Sequence, residues 1–238
     1  MDKLLNFENK FIKSKPYLFH VTRMENFLNI MKLNALISVN EAQKHIITNN
    51  LTAQSISSKR YINTPQKVLI NKNSIVTEYY PNTQINIQKK YFLHQSNTFR
   101  NRFYLHLDNH VFLWADEKYK ENMLKSYSKY DMVTLKLNTA KLLNICKGRI
   151  YVSKFNSGSN PQYNSLSKKS RKMFIPLRDR FFKREYLKMN SNIVPRFPSQ
   201  VKEILIKEEI PNLIDIIEEI TINKKSNFTK WHNKIKIQ

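Results

Sequence analysis

The chain has 238 residues, enough for one large domain or two small ones with a proper core. Its two glycines, Gly148 and Gly158, exclude a glycine-rich phosphate loop or a dinucleotide fingerprint, and its single Cys146 excludes an internal disulfide framework and a Cys-cluster zinc site. With 41 Lys+Arg against 18 Asp+Glu the formal net charge is +23, which favours a polyanionic partner, nucleic acid ahead of an anionic membrane surface.

In chain order, the N-terminal "MDKLLNFENKFIKSKPYLF" carries charge throughout and has no small-residue cleavage site, so no signal peptide is expected. "YLFHVT" (17–22) reads as a strand, and "RMENFLNIMKLN" (23–34) as a helix with Phe27, Ile30, Met31 and Leu33 at helical spacing. Asn34 stands where a left-handed helix cap belongs. "ALIS" (35–38) is extended and "VNEAQKHI" begins a short helix. Residues 55–98 are polar and Asn-rich, read as loops around short strands at "KVLI" (67–70) and "SIVTEYY" (74–80). "TFRNRFYLHL" (98–107) is helical and "HVFLWA" (110–115) a buried strand. "DEKYKENMLKSYSK" (116–129) starts acidic and ends basic, as a helix dipole prefers.

"DMVTLKLN" (131–138) alternates as a strand, "TAKLLN" (139–144) makes a helical turn, and "RIYVS" (149–153) is a further strand. Residues 154–173 form a long polar loop, "FIPL" (174–177) is extended, and "RDRFFKREYLKMN" (178–190) is a basic, aromatic helix candidate. "VKEILI" and "IIEEITI" close the sheet. The expectation is a single α+β domain over 1–238, with a central mixed or antiparallel sheet flanked by helices. No apolar stretch approaches the roughly 18 residues that span a bilayer, so no membrane partner is expected, and the lone cysteine points to a reducing, cytoplasmic setting.

The stretch "SQVKEILIKEEIP" (199–211) poses a chemical question. By alternation Val201, Glu203 and Leu205 share one face, with Lys202, Ile204 and Ile206 on the other. Glu203 is then either an edge-strand acid paired with Lys202 or Lys207 across solvent, or a carboxylate aimed into a polar site. His20 ends a strand before a helix, where ligands commonly meet the chain; the bland reading is a satisfied core histidine. Asn156, Ser157 and Gly158 form a turn able to present amides and hydroxyls, or an ordinary surface loop. Arg171 and the Arg178, Arg180, Lys183 and Arg184 set, interleaved with Phe181 and Phe182, suit single-stranded nucleic acid; the alternative is a solvated basic face. Tyr104, Asn109 and Trp114 support a site or fill the core, with Tyr104 grouped among cofactor-binding candidates. The histidines share no metal-ligand spacing, and His106 and His110 at i, i+4 lack an evident third ligand, so no metal is expected.

"YLFHVTRMENFLNIMKLNALIS" resembles the opening of DarT-type ADP-ribosyltransferases, where a strand ending in His-x-Thr precedes a helix and a short strand. "FYLHLDNHVFLWAD", "VTLKLNTAKLL", "IYVSKFNSGS" and "RKMFIPL" resemble successive motifs of an uncharacterised bacterial domain family related to that group. There an acid-bearing strand with an apolar run and a proline follows, a pattern that "VKEILIKEEIP" fits. The resemblance covers about residues 16–212, leaving 213–238 as a C-terminal extension. Asn34 replaces the usual glycine, and 55–98 has no clear copy of the family's arginine segment, for which Arg60 in "SSKRY" is the candidate.

The resemblance implies an ADP-ribosyltransferase-like fold and transfer of ADP-ribose from NAD, with Glu203 as the catalytic carboxylate. It also implies that His20 and Thr22 anchor NAD, with Asn156 and Ser157 in the cofactor-binding set. The acceptor implied is DNA or RNA, in the manner of toxins or phage-defence enzymes, with an antitoxin protein as a possible partner. A protein-directed transferase and a non-catalytic nucleic-acid-binding module on the same fold are the alternatives.

Overall fold

The computed structural model describes residues 2–47, 68–80, 87, 89–158, 169–177 and 193–223, with side chains from Phe7 onward. Its centre is a seven-stranded sheet built from β1 (Tyr17–Arg23), β5 (His110–Trp114), β6 (Met132–Asn138), β7 (Ile150–Ser153), β8 (Ile175–Pro176), β9 (Glu203–Lys207) and β11 (Ile217–Asn223), in the order β11-β6-β1-β5-β9-β7-β8. Every ladder in it is antiparallel, so the sheet is not mixed. Two small pairs lie outside it: β2 (Ala35–Ile37) with β10 (Glu209–Pro211), and the hairpin β3 (Val68–Lys72) with β4 (Ile75–Tyr79). The sheet takes in residues up to Asn223, because β11 pairs with β6 through a bulge at Ile217/Glu219.

Alternation along the strands divides the side chains between two layers. Leu18, Val111, Leu113, Val133, Leu135, Leu137, Val152, Ile204 and Ile206 pack on one face under α1 (Asp2–Ser14), α2 (Met24–Leu33) and α6 (Thr139–Ile145). The other face carries two aromatic clusters. One joins Leu205, Phe112 and Tyr151 to Phe103, Tyr104 and Leu107 of α4 (Asn97–Asp108), and to Phe92, Met173 and Phe174. The other gathers Phe19, Val21, Trp114 and Met132 beneath α5 (Glu117–Ser126), which contributes Tyr119, Met123 and Leu124. Helix α1 has no counterpart in the expectations from sequence, and it docks by Phe7 and Phe11, one turn apart and buried in the lower layer.

The helix ends are specified by side chains. Ser38 caps α3 (Val39–Gln43) by accepting from the Glu41 amide at 3.1 Å, Ser96 caps α4 and Asn138 caps α6. Asn34 closes α2 in the left-handed region at φ 48°, as expected, and its Oδ1 accepts from the Ile214 amide at 2.8 Å. The hairpin is fastened by Lys72, whose ammonium reaches Glu41 at 3.0 Å and Glu209 at 2.7 Å. No helix among the described residues is long and apolar enough to cross a membrane.

Candidate active site

β9 lies inside the sheet, between β5 and β7, with Trp114 and Ser153 directly across from Glu203. The edge-strand reading of Glu203 is therefore wrong. Its residue is only 2% exposed, and neither flanking lysine pairs with it. Lys202 sits over the Tyr119 ring at 5.2 Å and Lys207 pairs with Glu208 at 3.4 Å. Val201 does not share the face of Glu203 either: it precedes the strand and packs in the lower layer, while Leu205 joins an upper aromatic cluster. Glu203 thus stands on the upper face where the two aromatic clusters meet, next along the strand to Leu205 of one and opposite Trp114 of the other.

A short loop closes over it. β7 ends at Ser153, whose hydroxyl accepts from the Phe155 amide at 3.2 Å, and Asn156 Oδ1 accepts from the Gly158 amide at 3.1 Å. The turn so formed aims the Ser157 amide at Glu203 Oε2, 3.0 Å away. Lys169, in a stretch read from sequence as polar loop, is 4% exposed and donates to the carbonyls of Asn156 at 2.6 Å and Ser157 at 3.1 Å. Burial pushes the Glu203 carboxyl well above its ordinary value, with Ser157 and the Lys169 charge pulling it back. Burial likewise lowers Lys169, opposed by the charge of Glu203. Buried Ser153, Ser157, Lys169, Ser170 and Glu203 make this a polar island beneath aromatic walls.

His20 lies two strands away. The row Glu203–Trp114–Phe19 runs across β9, β5 and β1, and His20 is the residue after Phe19. The pleat consequently groups His20 and Thr22 with Leu18 and not with Glu203, so the two faces separate the candidates. His20 nevertheless occupies a special place. β1 pairs along its whole length with β6 but meets β5 at the single rung Phe19–Trp114. In that thin seam His20 Nδ1 donates to the Phe112 carbonyl at 3.0 Å, which fixes the proton on Nδ1 and leaves Nε2 as an acceptor. Burial lowers its pKa, so the ring is neutral at pH 7. Thr22 is buried in β1.

The chain belongs to the DUF7002 family. That family, described as one of unknown function, matches residues 16–217. No curated protein matches the chain.

Within this DUF7002 member, the other candidates fall into three groups. Asn156 and Ser157 are at the site with Glu203. Tyr104 is in the neighbouring aromatic cluster, its hydroxyl donating to the Ile87 carbonyl at 3.3 Å, and Arg171 is exposed on the side of His106. Arg60, Arg178, Arg180, Lys183 and Arg184 lie outside the described residues, as does the helix expected over 178–190. Lys169 is the residue that sequence reasoning missed. In "SLSKKSRKM" nothing separates it from Lys168 and Lys172; its burial follows from a parallel bridge to Phe92, a contact 77 positions away. Among the described residues no group of three or more His, Cys, Asp or Glu side chains could hold a metal ion.

Proposed function

We propose that this protein is a NAD-dependent mono-ADP-ribosyltransferase acting on nucleic acid, with Glu203 as its catalytic carboxylate. The observation that carries the reading is a carboxylate buried in the middle of a sheet, held by one loop amide and bordered by aromatic clusters. A structural acid in such a place costs several kcal/mol of desolvation, which a chain meant only to fold would avoid with an apolar residue. Strongly perturbed ionisable groups in preorganised surroundings are the hallmark of reacting sites. The ordered motif resemblance supplies the reaction class, and the net charge of +23 supplies the acceptor class.

In that reaction the bond between nicotinamide and the ribose C1 breaks, nicotinamide departs with the bonding electrons, and positive charge develops on the sugar. A carboxylate in a low-dielectric setting stabilises that charge and binds a ribose hydroxyl. The acceptor atom then forms the new bond to C1 and releases its proton. His20 and Thr22, which the resemblance would have anchor the dinucleotide, stand on the opposite face of the sheet from Glu203 and are not assigned to this site. The aromatic walls suit the planar faces of nicotinamide and of nucleobases.

Incubation with NAD labelled in the adenylate, together with single-stranded DNA or RNA, tests the proposal. Nicotinamide release and label that nuclease removes but protease does not are the expected results. Glu203→Gln is expected to lower the rate by about 10²–10³. Absence of nicotinamide release with every polymer removes the enzyme reading; label removed by protease alone redirects it to a protein acceptor.

A further inference from the structure

Asn156 C=O and Ser157 N–H belong to one peptide group, and that group has a buried charge at each end. Lys169 Nζ donates to the carbonyl oxygen at 2.6 Å, and the amide donates to Glu203 Oε2 at 3.0 Å. The peptide is planar and trans, so its carbonyl and amide point in opposite directions and hold ammonium and carboxylate apart while joining them in one line of donors and acceptors. A cation on the carbonyl oxygen withdraws electron density from the amide and makes its N–H a stronger donor, an effect that low dielectric enlarges. The main chain of Lys169 is held from behind. The Lys169 amide donates to the Tyr91 carbonyl at 2.6 Å, and the Leu93 amide donates to the Lys169 carbonyl at 3.1 Å. The second carbonyl on Nζ, that of Ser157 at 3.1 Å, keeps the ammonium aligned with the turn. Among the described residues, Lys169 is the charged group that acts on Glu203.

We propose that Lys169 is a positioning residue for Glu203, acting through the Asn156–Ser157 peptide, which it polarises and locks so that the Ser157 amide holds the carboxylate ionised and in place. The proposal rests on the reading of Glu203 as the reacting carboxylate. It assigns the polar turn after β7 a purpose beyond connection: it is the insulator between two charges that would otherwise form a direct ion pair and neutralise the field the sugar cation needs. A direct ammonium contact would satisfy the carboxylate fully, whereas a polarised amide restrains one oxygen and preserves its charge.

The test follows the carboxyl ¹³C resonance of Glu203 through a pH titration, assigned by its loss in Glu203→Gln, in the wild type, Lys169→Met and Lys169→Gln. Removal of the ammonium is expected to raise the midpoint by about one unit, corresponding to about a tenfold loss of ionised carboxylate below it. The rising limb of the pH profile for NAD cleavage is expected to move by the same amount, with KM for NAD changed less than kcat. An unchanged Glu203 midpoint in a folded Lys169 variant overturns the proposal. Should both variants fail to fold, the wild type decides. The ¹⁵Nζ resonance of Lys169 steps at the Glu203 midpoint if the two groups are coupled, and a flat ¹⁵N trace across that midpoint overturns the proposal. A shifted midpoint in a protein that releases no nicotinamide supports the role of Lys169 while removing the transferase reading.

Discussion

Two neutral imidazoles lie side by side on the upper face of the sheet. The His106 and His110 rings lie 4.5 Å apart, with Phe174 4.8 Å from His106 and Tyr151 5.2 Å from His110. His110 Nδ1 donates to the His106 carbonyl at 2.6 Å, and the Nε2 atoms of both rings are buried without a partner among the described residues. Burial is the main cause of depressed basicity in each. For His106 it acts with repulsion from His110 and Arg171, to about 3; for His110 the Lys207 charge assists, to about 4. The unfolded chain titrates near 6.5, so stability is complete above that pH and falls as the unfolded state takes up protons, by about 1.4 kcal/mol per pH unit for each ring, until the folded values are reached. Glu203, with its raised pKa, runs the opposite way, so the comparison must be between variants. His106→Phe is expected to lose less melting temperature between pH 7 and pH 5 than the wild type does. Parallel pH dependence in calorimetry would refute that. The pair was legible from its i, i+4 spacing, but its burial was not, because burial depends on Tyr151 and Phe174 arriving from other elements.

Among the elements, α2 and its exit show how far local chemistry reaches. Asn34 takes the left-handed region because its short polar side chain tolerates it, and the same side chain ties the cap to the Ile214 amide at the other end of the chain. Asn34→Ala keeps neither advantage and is expected to cost about 2 kcal/mol in urea unfolding, from left-handed strain and a lost hydrogen bond. Asn34→Gly is expected to cost less, since glycine relieves the strain and forfeits only the bond. A reversal of that order would show that the cap is not what the residue is kept for. The strands were readable for the same local reason: β1, β5, β6 and β9 carry the alternation or apolar runs that a pleat requires. Helix α1 went unread because its first turns carry charge at short intervals, and Phe7 and Phe11 make sense as a stripe only once there is a sheet beneath them.

At the scale of the whole molecule, the charge gives the proposed nucleic-acid acceptor a direct test. With 41 basic against 18 acidic side chains, binding of a single strand under that proposal is expected to weaken steeply with salt. With about five phosphate contacts, affinity for an oligonucleotide is expected to fall about a hundredfold between roughly 50 and 200 mM salt. A plot of log affinity against log salt with slope near zero would remove phosphate contact from the account. The acids are not spread to match. Glu41 and Glu209 meet Lys72 in the hairpin clasp, where Glu41 also pairs with Lys44, and Glu203 is linked to Lys169 only through a peptide, so these carboxylates are engaged locally and leave most of the surface cations uncompensated.

What the sequence by itself determined is local: where the main strands and helices lie, the left-handed stop at Asn34, and the parity that sends Glu203 and Ile204 to opposite faces. These follow from steric and hydrogen-bonding rules that act over a few residues. Only the tertiary structure decided that β9 is interior, that His20 sits in a thin seam on the other side of the pleat, and that Lys169 stands behind the peptide holding Glu203. Each of those depends on strands and loops distant in sequence coming to lie side by side. The desolvation that distinguishes the buried Glu203 from a surface carboxylate is a property of those neighbours, not of the residue.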